Sequence, residues 1–320
     1  MKSSYSVVMV LFLILLYSST SLADDWVKTS DPPAGANQFK VATGVDNGSP
    51  VQFILETSGL GLFKSTDDGT AWENIGLKGI GITAIVDNLG NAGEYIVSAS
   101  DGVYKTTDGG TNWQHYTAGI EGLFITDIVR ITLNSFAVGT VGNGVFNSTD
   151  GGETWQQMGT GLENKTVTSV ELITFSTVND GLYATTQEDG VWVYDPFAGT
   201  WAPINDGNNN LVGTTAIAGD TQGNLFLASS PNILSSPSMP VFWQVETEHD
   251  FTNTIVATPD DQVFASSFGN GVKRRTSPGD WTPFSTGLPS DNDGFIDVIN
   301  IVRDQTNTEI SGSEVYLWRQ

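Results

Sequence analysis

Three short stretches of this chain repeat one turn-forming pattern: a hydroxyl pair, an aspartate, one or two glycines, and a tryptophan five residues after the aspartate. They read Ser65-Thr66-Asp67-Asp68-Gly69-Thr70-Ala71-Trp72, Thr106-Thr107-Asp108-Gly109-Gly110-Thr111-Asn112-Trp113 and Ser148-Thr149-Asp150-Gly151-Gly152-Glu153-Thr154-Trp155. An aspartate can accept backbone N–H groups across a tight turn, and a glycine tolerates positive φ there. Because a short run with apolar residues precedes each copy, the motif predicts a hairpin turn between two strands.

The tryptophans of these motifs belong to a longer series with regular spacing. The series is Trp26, Trp72, Trp113, Trp155, Trp201, Trp243 and Trp281, with gaps of 46, 41, 42, 46, 42 and 38 residues. A period of ~40 to 45 residues with short strands between turns is typical of four-stranded propeller blades. The sequence therefore predicts an all-β fold, a seven-bladed β-propeller with four-stranded antiparallel blades.

The two ends of the chain each supply part of one blade in this prediction. Trp26 comes before any complete blade, and Glu314–Trp318 resembles the strand that precedes the turn elsewhere. If Trp26–Lys28 forms the outer strand beside Val315–Trp318, the ring is closed by pairing of N- and C-terminal strands and its open edges disappear.

The first residues have the pattern of an export signal. A lysine is followed by the apolar run Val7–Tyr17, which is too short for a comfortable membrane span of ~20 residues, and Ser21-Leu22-Ala23 places small residues where signal peptidase cleaves. We expect residues 1–23 to be a signal peptide and residues 24–320 to form a single propeller domain. The mature chain is then secreted or periplasmic and does not span the membrane.

Charge and composition exclude several classes of function. The chain has 36 Asp and Glu against 13 Lys and Arg, a formal net charge of −23, so it repels phosphate backbones and we expect no nucleic acid partner. It has no cysteine and only two histidines, which excludes disulfides, thiol nucleophiles and thiolate metal sites and makes zinc a poor fit. We expect a monomer with no cofactor.

The three motifs resemble the Asp-box, or BNR, repeats of sialidase-like β-propellers, and Gly102–Trp113 is similar to the form found in photosystem II stability factor-like proteins. The resemblance implies that the motif residues are architectural. They are Ser65, Asp67, Gly69, Trp72, Thr106, Asp108, Gly110, Trp113, Ser148, Asp150, Gly152 and Trp155. A sialidase of this family would also need an arginine cluster, but the first arginine is Arg130 and no Arg-Ile-Pro segment occurs. Fold alone does not determine activity.

We expect recognition on the face opposite the motif turns, where the connections between blades carry more individual residues. The candidate ligand-binding residues are Lys78, Phe124, Asn164, Lys165, Asn208, Glu248, His249, Asp291 and Asp293. The stretch Asp291–Gly294 is rich in oxygen ligands and could hold calcium, although the downstream bidentate carboxylate of a full calcium loop is missing.

Two classes of function remain open from sequence. The first is an exported, non-catalytic binding or scaffold propeller that recognises a protein or a glycan. The second is a carbohydrate-active enzyme, a glycoside hydrolase or lyase, which would need a pair of acid–base groups near the channel rim. The candidates for that pair are Glu121, Asp127, Glu171, His249 and Asp297.

Overall fold

The described part of the chain is made of β-strands joined by turns. The computed structural model describes residues 11–14, 27–28, 39–46, 49–56, 59–67, 71–87, 92–174, 181–205, 211–237, 241–248, 252–258, 261–267, 271–284, 298–303 and 315–319. Within these ranges there is no helix long and apolar enough to cross a membrane.

The strands are short and follow one another along the whole chain. They are β1 (Leu11–Ile14), β2 (Val27–Lys28), β3 (Phe39–Asp46), β4 (Ser49–Glu56), β5 (Gly61–Ser65), β6 (Glu73–Gly76), β7 (Ile82–Asp87), β8 (Tyr95–Ala99), β9 (Gly102–Thr106), β10 (Gln114–Tyr116), β11 (Ile125–Thr132), β12 (Ser135–Thr140), β13 (Gly144–Ser148), β14 (Gln156–Gln157), β15 (Val167–Ile173), β16 (Gly181–Thr186), β17 (Gly190–Asp195), β18 (Thr200–Pro203), β19 (Thr214–Gly219), β20 (Asn224–Ser229), β21 (Asn232–Pro237), β22 (Gln244–Glu248), β23 (Thr252–Ala257), β24 (Val263–Ser267), β25 (Gly271–Ser277), β26 (Asp280–Pro283), β27 (Val298–Arg303) and β28 (Val315–Arg319).

These strands pair into four-stranded antiparallel sheets. Sheets I to VI each contain four consecutive strands, in the order β3–β6, β7–β10, β11–β14, β15–β18, β19–β22 and β23–β26. Sheet VII combines both ends of the chain, in the order β27, β28, β1, β2. The described strands thus repeat one antiparallel unit along the chain.

The second strand of a sheet is buried on both faces. Every residue of β8 is buried, as are all residues after the first in β12, β16 and β20. A continuous buried run of this length is typical of a strand covered on both sides. Each sheet is therefore packed between two neighbours.

The hydrophobic core lies between adjacent sheets. Val51 and Leu62 of sheet I share one cluster with Ile85 and Val97 of sheet II. Four other clusters connect sheets II to VI in the same way, each to the next. Because a single sheet cannot bury both of its faces, its stability comes from its neighbours.

The first strands of the sheets contact one another in a cycle. Contacts run from β3 through β7, β11, β15, β19 and β23 to β27, and β27 in turn contacts β3. First strands around a central channel, with sheets radiating outward, are the arrangement of a β-propeller. The predicted all-β propeller fold is confirmed.

Sheet VII differs from the sequence prediction in the order of its strands. We predicted that Val27–Lys28 lies directly beside Val315–Trp318, and this is wrong: Leu11 pairs with Trp318 and Phe12 with Lys28, so β1 lies between them. The reason is that β28 is the second strand of its sheet rather than the third, which leaves one more position to fill. The strand that fills it comes from the segment predicted to be a signal peptide.

Candidate functional site

The three repeated motifs form turns between the third and fourth strands of sheets I, II and III. In sheet II, Asp108 Oδ1 accepts hydrogen bonds from the Thr106 hydroxyl at 2.8 Å and from the Asn112 N–H at 2.8 Å. Asp67 and Asp150 accept the equivalent bonds in sheets I and III. Each carboxylate thereby holds its turn closed.

The carboxyl groups of these turns are held in the ionised form. Burial alone would raise the pKa of Asp150, but bonds from the Thr154 hydroxyl and N–H, the Ser148 hydroxyl and the Glu153 N–H outweigh it and lower the pKa to about 2. Backbone and side-chain bonds from Asn112 lower the pKa of Asp108 in the same way. Groups engaged so fully in the turn fit the predicted architectural role and not proton transfer.

The glycines and tryptophans of the motifs also serve packing. Gly110 has φ of 97°, and a Cβ there would lie 2.7 Å from the side chain of Ile75 in sheet I. The motif tryptophan follows directly: Trp155 is buried, and Trp72 and Trp113 are partly buried. Gly69 lies outside the described residues. The motif turns of sheets II and III therefore pack against the preceding sheet.

The opposite face carries the hairpins between second and third strands and the connections between sheets. In sheets II and III the residue before the first strand is held there by the hairpin of the same sheet. Ser100 N–H donates to Gly81 O at 2.9 Å, and Val141 N–H donates to Phe124 O at 3.0 Å. Phe124 is thereby fixed at the rim of the channel, where its side chain is 50% exposed.

The connections that enter sheets II to IV share a local pattern that sequence reasoning missed. Glu121 accepts a bond from the Gly119 N–H at 3.1 Å, and Glu163 accepts one from the Gly161 N–H at 2.8 Å. Lys78 follows Leu77 as Glu121 follows Ile120, and it is exposed. The repeated Gly-Leu or Gly-Ile pair before the charged residue was the signal for this pattern. The Glu121 side chain therefore stabilises its own turn and also lies at the rim of the channel.

Asn164 and Lys165 lie in the connection that enters sheet IV. Asn164 is exposed. The Lys165 ammonium pairs with the Asp189 carboxylate on the hairpin of the same sheet, and this hydrogen bond raises the pKa of Lys165. This ion pair joins the connection that enters sheet IV to the hairpin of that sheet. Lys165 is therefore less available to bind a ligand than its position in the sequence suggested.

Asp127 lies on the first strand of sheet III and reaches the first strand of sheet IV. Its Oδ2 accepts bonds from Ser169 Oγ at 2.9 Å and Val170 N–H at 3.0 Å, and its Oδ1 accepts one from Ile128 N–H at 2.9 Å. Burial raises its pKa, against the nearby charge of Lys40 and these bonds. The carboxylate joins two first strands at the channel wall.

Asp127 and Glu121 each have their own local partners, Asp127 across to β15 and Glu121 within its connection. The third described candidate, Glu171, lies on β15 opposite Tyr183. His249, Asp297, Asn208, Asp291 and Asp293 lie outside the described residues, and for Glu248 only its place on β22 is described. The calcium prediction at Asp291–Gly294 lies outside them as well.

A cavity of about 550 Å³ opens on the motif face between sheets I and II. Asp46 lines it and accepts bonds from Tyr95 OH at 2.8 Å, Lys64 Nζ at 3.1 Å and Gly93 N–H at 2.9 Å. Burial opposes ionisation, but these partners lower the pKa of Asp46 overall. Among the described residues no group of three or more acidic or histidine side chains is placed to hold a metal ion. The Asp46 carboxylate in this cavity is therefore already bonded to groups of the protein.

The chain matches no family model and no curated protein. Its fold is similar to that of several solved propellers. An ancestral GH74 enzyme aligns with a TM-score of 0.69 at 15% identity over 90% of this chain, and this chain spans only 44% of that enzyme's length. YCF48 from Cyanidioschyzon merolae aligns with a TM-score of 0.66 at 13% identity, over 90% of this chain and 97% of that one. YCF48 bound to D1 peptide aligns with a TM-score of 0.59 at 14% identity, over 91% and 98%. At such identities the likeness establishes the fold alone.

Proposed function

We propose that this chain is an exported, non-catalytic binding propeller that recognises a protein or a glycan on the face opposite the motif turns. The observation that carries the proposal is a pair of exposed apolar residues held side by side at that rim: Phe124 is 50% and Val141 44% exposed, and the Val141 N–H donates to Phe124 O. Val212, 47% exposed, lies further along the same rim. On the motif face the exposed Leu133, Phe197 and Phe242 lie on turns of different sheets. Exposed apolar residues held on a rigid frame are typical of an interaction site.

The ring that presents this surface has seven blades in our proposal. Its support is the cycle of contacts among the described first strands, in which β27, from the C-terminal part of the chain, contacts β3. A closed ring of packed sheets gives a rigid platform, so binding costs little ordering of the protein. The mature protein acts as a monomer after removal of residues 1–23.

The alternative function is that of a glycoside hydrolase or lyase. The fold it shares with the GH74 enzyme is compatible with this alternative, and the raised pKa of Asp127 is the kind of shift that a general acid requires. Against it, Asp127 accepts three hydrogen bonds from β11 and β15, and Glu121 caps its own connection. The binding function therefore has the better support.

The experiment that separates the two functions uses the purified mature chain in three parallel assays. These are a glycan array, a panel of chromogenic glycosides, and capture of partners from the extract of the source cells. Binding without turnover is expected. Turnover of any glycoside that disappears in an Asp127→Asn variant of unchanged melting temperature overturns the proposal in favour of the enzyme.

A further inference from the structure

Apolar and acidic side chains occur together on the rim of sheets III to V, on the face opposite the motif turns. We name this part the acidic rim and define it by Glu121, Phe124, Val141, Glu163, Glu188 and Val212. Glu121 and Phe124 lie in the connection into sheet III and Val141 in the hairpin of that sheet. Glu163 lies in the connection into sheet IV, Glu188 in its hairpin, and Val212 in the connection into sheet V.

Backbone hydrogen bonds fix these positions relative to one another. Val141 N–H donates to Phe124 O at 3.0 Å, which places the two exposed apolar residues side by side. Gln187 N–H donates to Thr166 O at 3.0 Å, and Gly213 N–H donates to Gln187 O at 2.9 Å. Val212 therefore lies next to the hairpin that carries Glu188. These backbone hydrogen bonds therefore fix the positions of the apolar and acidic groups relative to one another.

The charge of the acidic rim is only partly balanced by basic groups on the same described connections and hairpins. Lys165 is the basic residue there; its ammonium pairs with Asp189 and also attracts Glu188, which leaves the carboxylates in excess. Glu121 and Glu163 accept backbone N–H bonds within their turns, which hold the carboxylates in place without neutralising them. Glu121 and Glu188 are exposed. The rim thus presents fixed negative charge around apolar anchors.

We propose that the acidic rim binds a cationic polypeptide segment, in which an aromatic or large aliphatic side chain is flanked by lysines or arginines. The inference rests on the proposed binding function and names the partner class. The apolar anchor packs on Phe124 and Val141, while the flanking cations lie against Glu121, Glu163 and Glu188. Charge complementarity of this kind raises the association rate and rejects acidic partners. An acidic or neutral glycan offers no cation to this surface.

The test measures binding of short labelled peptides to the purified mature chain. The probe is an acetylated and amidated Lys-Lys-Phe-Lys-Lys peptide, with Glu-Glu-Phe-Glu-Glu and Lys-Lys-Ala-Lys-Lys as comparisons. We expect the first to bind most tightly. Its affinity should fall as salt is raised from about 0.02 M to about 0.3 M, because exposed charges are screened over that range.

Matched variants on the two faces identify the site. Phe124→Ser should weaken the probe by on the order of tenfold by removal of the apolar anchor. The double variant Glu121→Gln and Glu188→Gln, which keeps an acceptor for the Gly119 N–H, should weaken it by roughly fivefold. The controls are Phe197→Ser and Asp195→Asn on a turn of the motif face, where Phe197 is fully exposed.

Two results overturn the inference. One is a probe affinity that Phe124→Ser leaves unchanged or that only Phe197→Ser lowers, since the peptide then binds without using the rim. The other is a glycan or acidic ligand whose capture depends on Phe124 while the cationic peptide fails to bind. That second result leaves the proposed binding function intact and rejects the cationic partner alone.

Discussion

The indole Nε1 of Trp113 donates a hydrogen bond of 2.7 Å to the carbonyl oxygen of Ile75 in the preceding sheet. Trp201 bonds to Met158 O at 2.7 Å and Trp243 to Ile204 O at 3.0 Å. In each case the acceptor is the third residue after the tryptophan of the preceding sheet. Trp155 departs from the rule and bonds to Gly152 O within its own turn, and Trp281 departs from it because its buried indole N–H has no partner among the described residues. In sheets II, IV and V the regular tryptophan spacing thus reflects a hydrogen bond that ties the outer strand to the preceding sheet.

The bond from Trp113 to Ile75 should stabilise the contact between sheets I and II. Trp113→Phe leaves the Ile75 carbonyl oxygen without its donor, so it should lower the free energy of unfolding by ~1–2 kcal/mol more than Trp192→Phe, because the Trp192 indole N–H has no described partner to lose. Urea denaturation measures both. Equal losses in the two variants would contradict a stabilising role for this bond.

Low pH should lower the free energy of unfolding by protonating the aspartates of the motif turns. The pKa of Asp150 is lowered from 3.8 to about 2 in the folded state, so its contribution to stability is complete above pH 3.8 and is lost as pH falls through about 2. The urea midpoint of the Asp150→Asn variant should therefore fall less than that of the parent between these two values. Thr154→Val, which removes the hydroxyl bond to Asp150, should show an intermediate slope. Identical slopes in all three proteins would show that Asp150 does not contribute.

Asp127 should prove to be a stabilising residue of the channel wall. Asp127→Ala leaves the Val170 N–H and the Ser169 hydroxyl without their acceptor, so we expect a loss of ~1–3 kcal/mol in the free energy of unfolding. Ligand affinity, measured below the melting temperature of the variant, should change less than twofold. A tenfold loss of affinity with unchanged stability would instead make Asp127 a binding residue.

The chain ends should determine whether the ring unfolds as one unit. Mass spectrometry of the exported protein should give a chain that begins at Asp24, which removes β1 and lets β2 pair with β28 directly. Deletion of residues 314–320 should then abolish cooperative unfolding, because β27 loses its partner strand. An exported chain that retains Leu11–Ile14 would favour the four-strand order of sheet VII as it stands, and a deletion variant that melts like the parent would refute closure by the ends.

Much of the fold could be predicted from local chemistry that repeats. The aspartates of the motifs, their glycines and the tryptophan column all follow from turn geometry and packing within about ten residues, so the sequence pattern was sufficient to find the sheets. The position of β28 was not predictable in this way, because second and third strands are both short apolar runs and differ only in which neighbours they meet.

The candidate site was harder to predict because it depends on contacts between separate sheets. Phe124 was found from its place in a connection, and the structure puts it at the rim. Val141 and Val212 were missed, because an exposed valine has no sequence signature apart from its neighbours in space. The sequence suggested that Lys165 is a free cation, but it pairs with Asp189, which lies 24 residues later on the adjacent hairpin.

Photo-crosslinking from two positions tests the location of the recognition surface most directly. A benzoylphenylalanine is placed at Phe124 in one protein and at Phe197 in another, and each is irradiated in the cells that export it. Our account predicts that position 124 crosslinks to a specific partner and position 197 does not. A partner captured from position 197 alone would place recognition on the motif face and contradict the account.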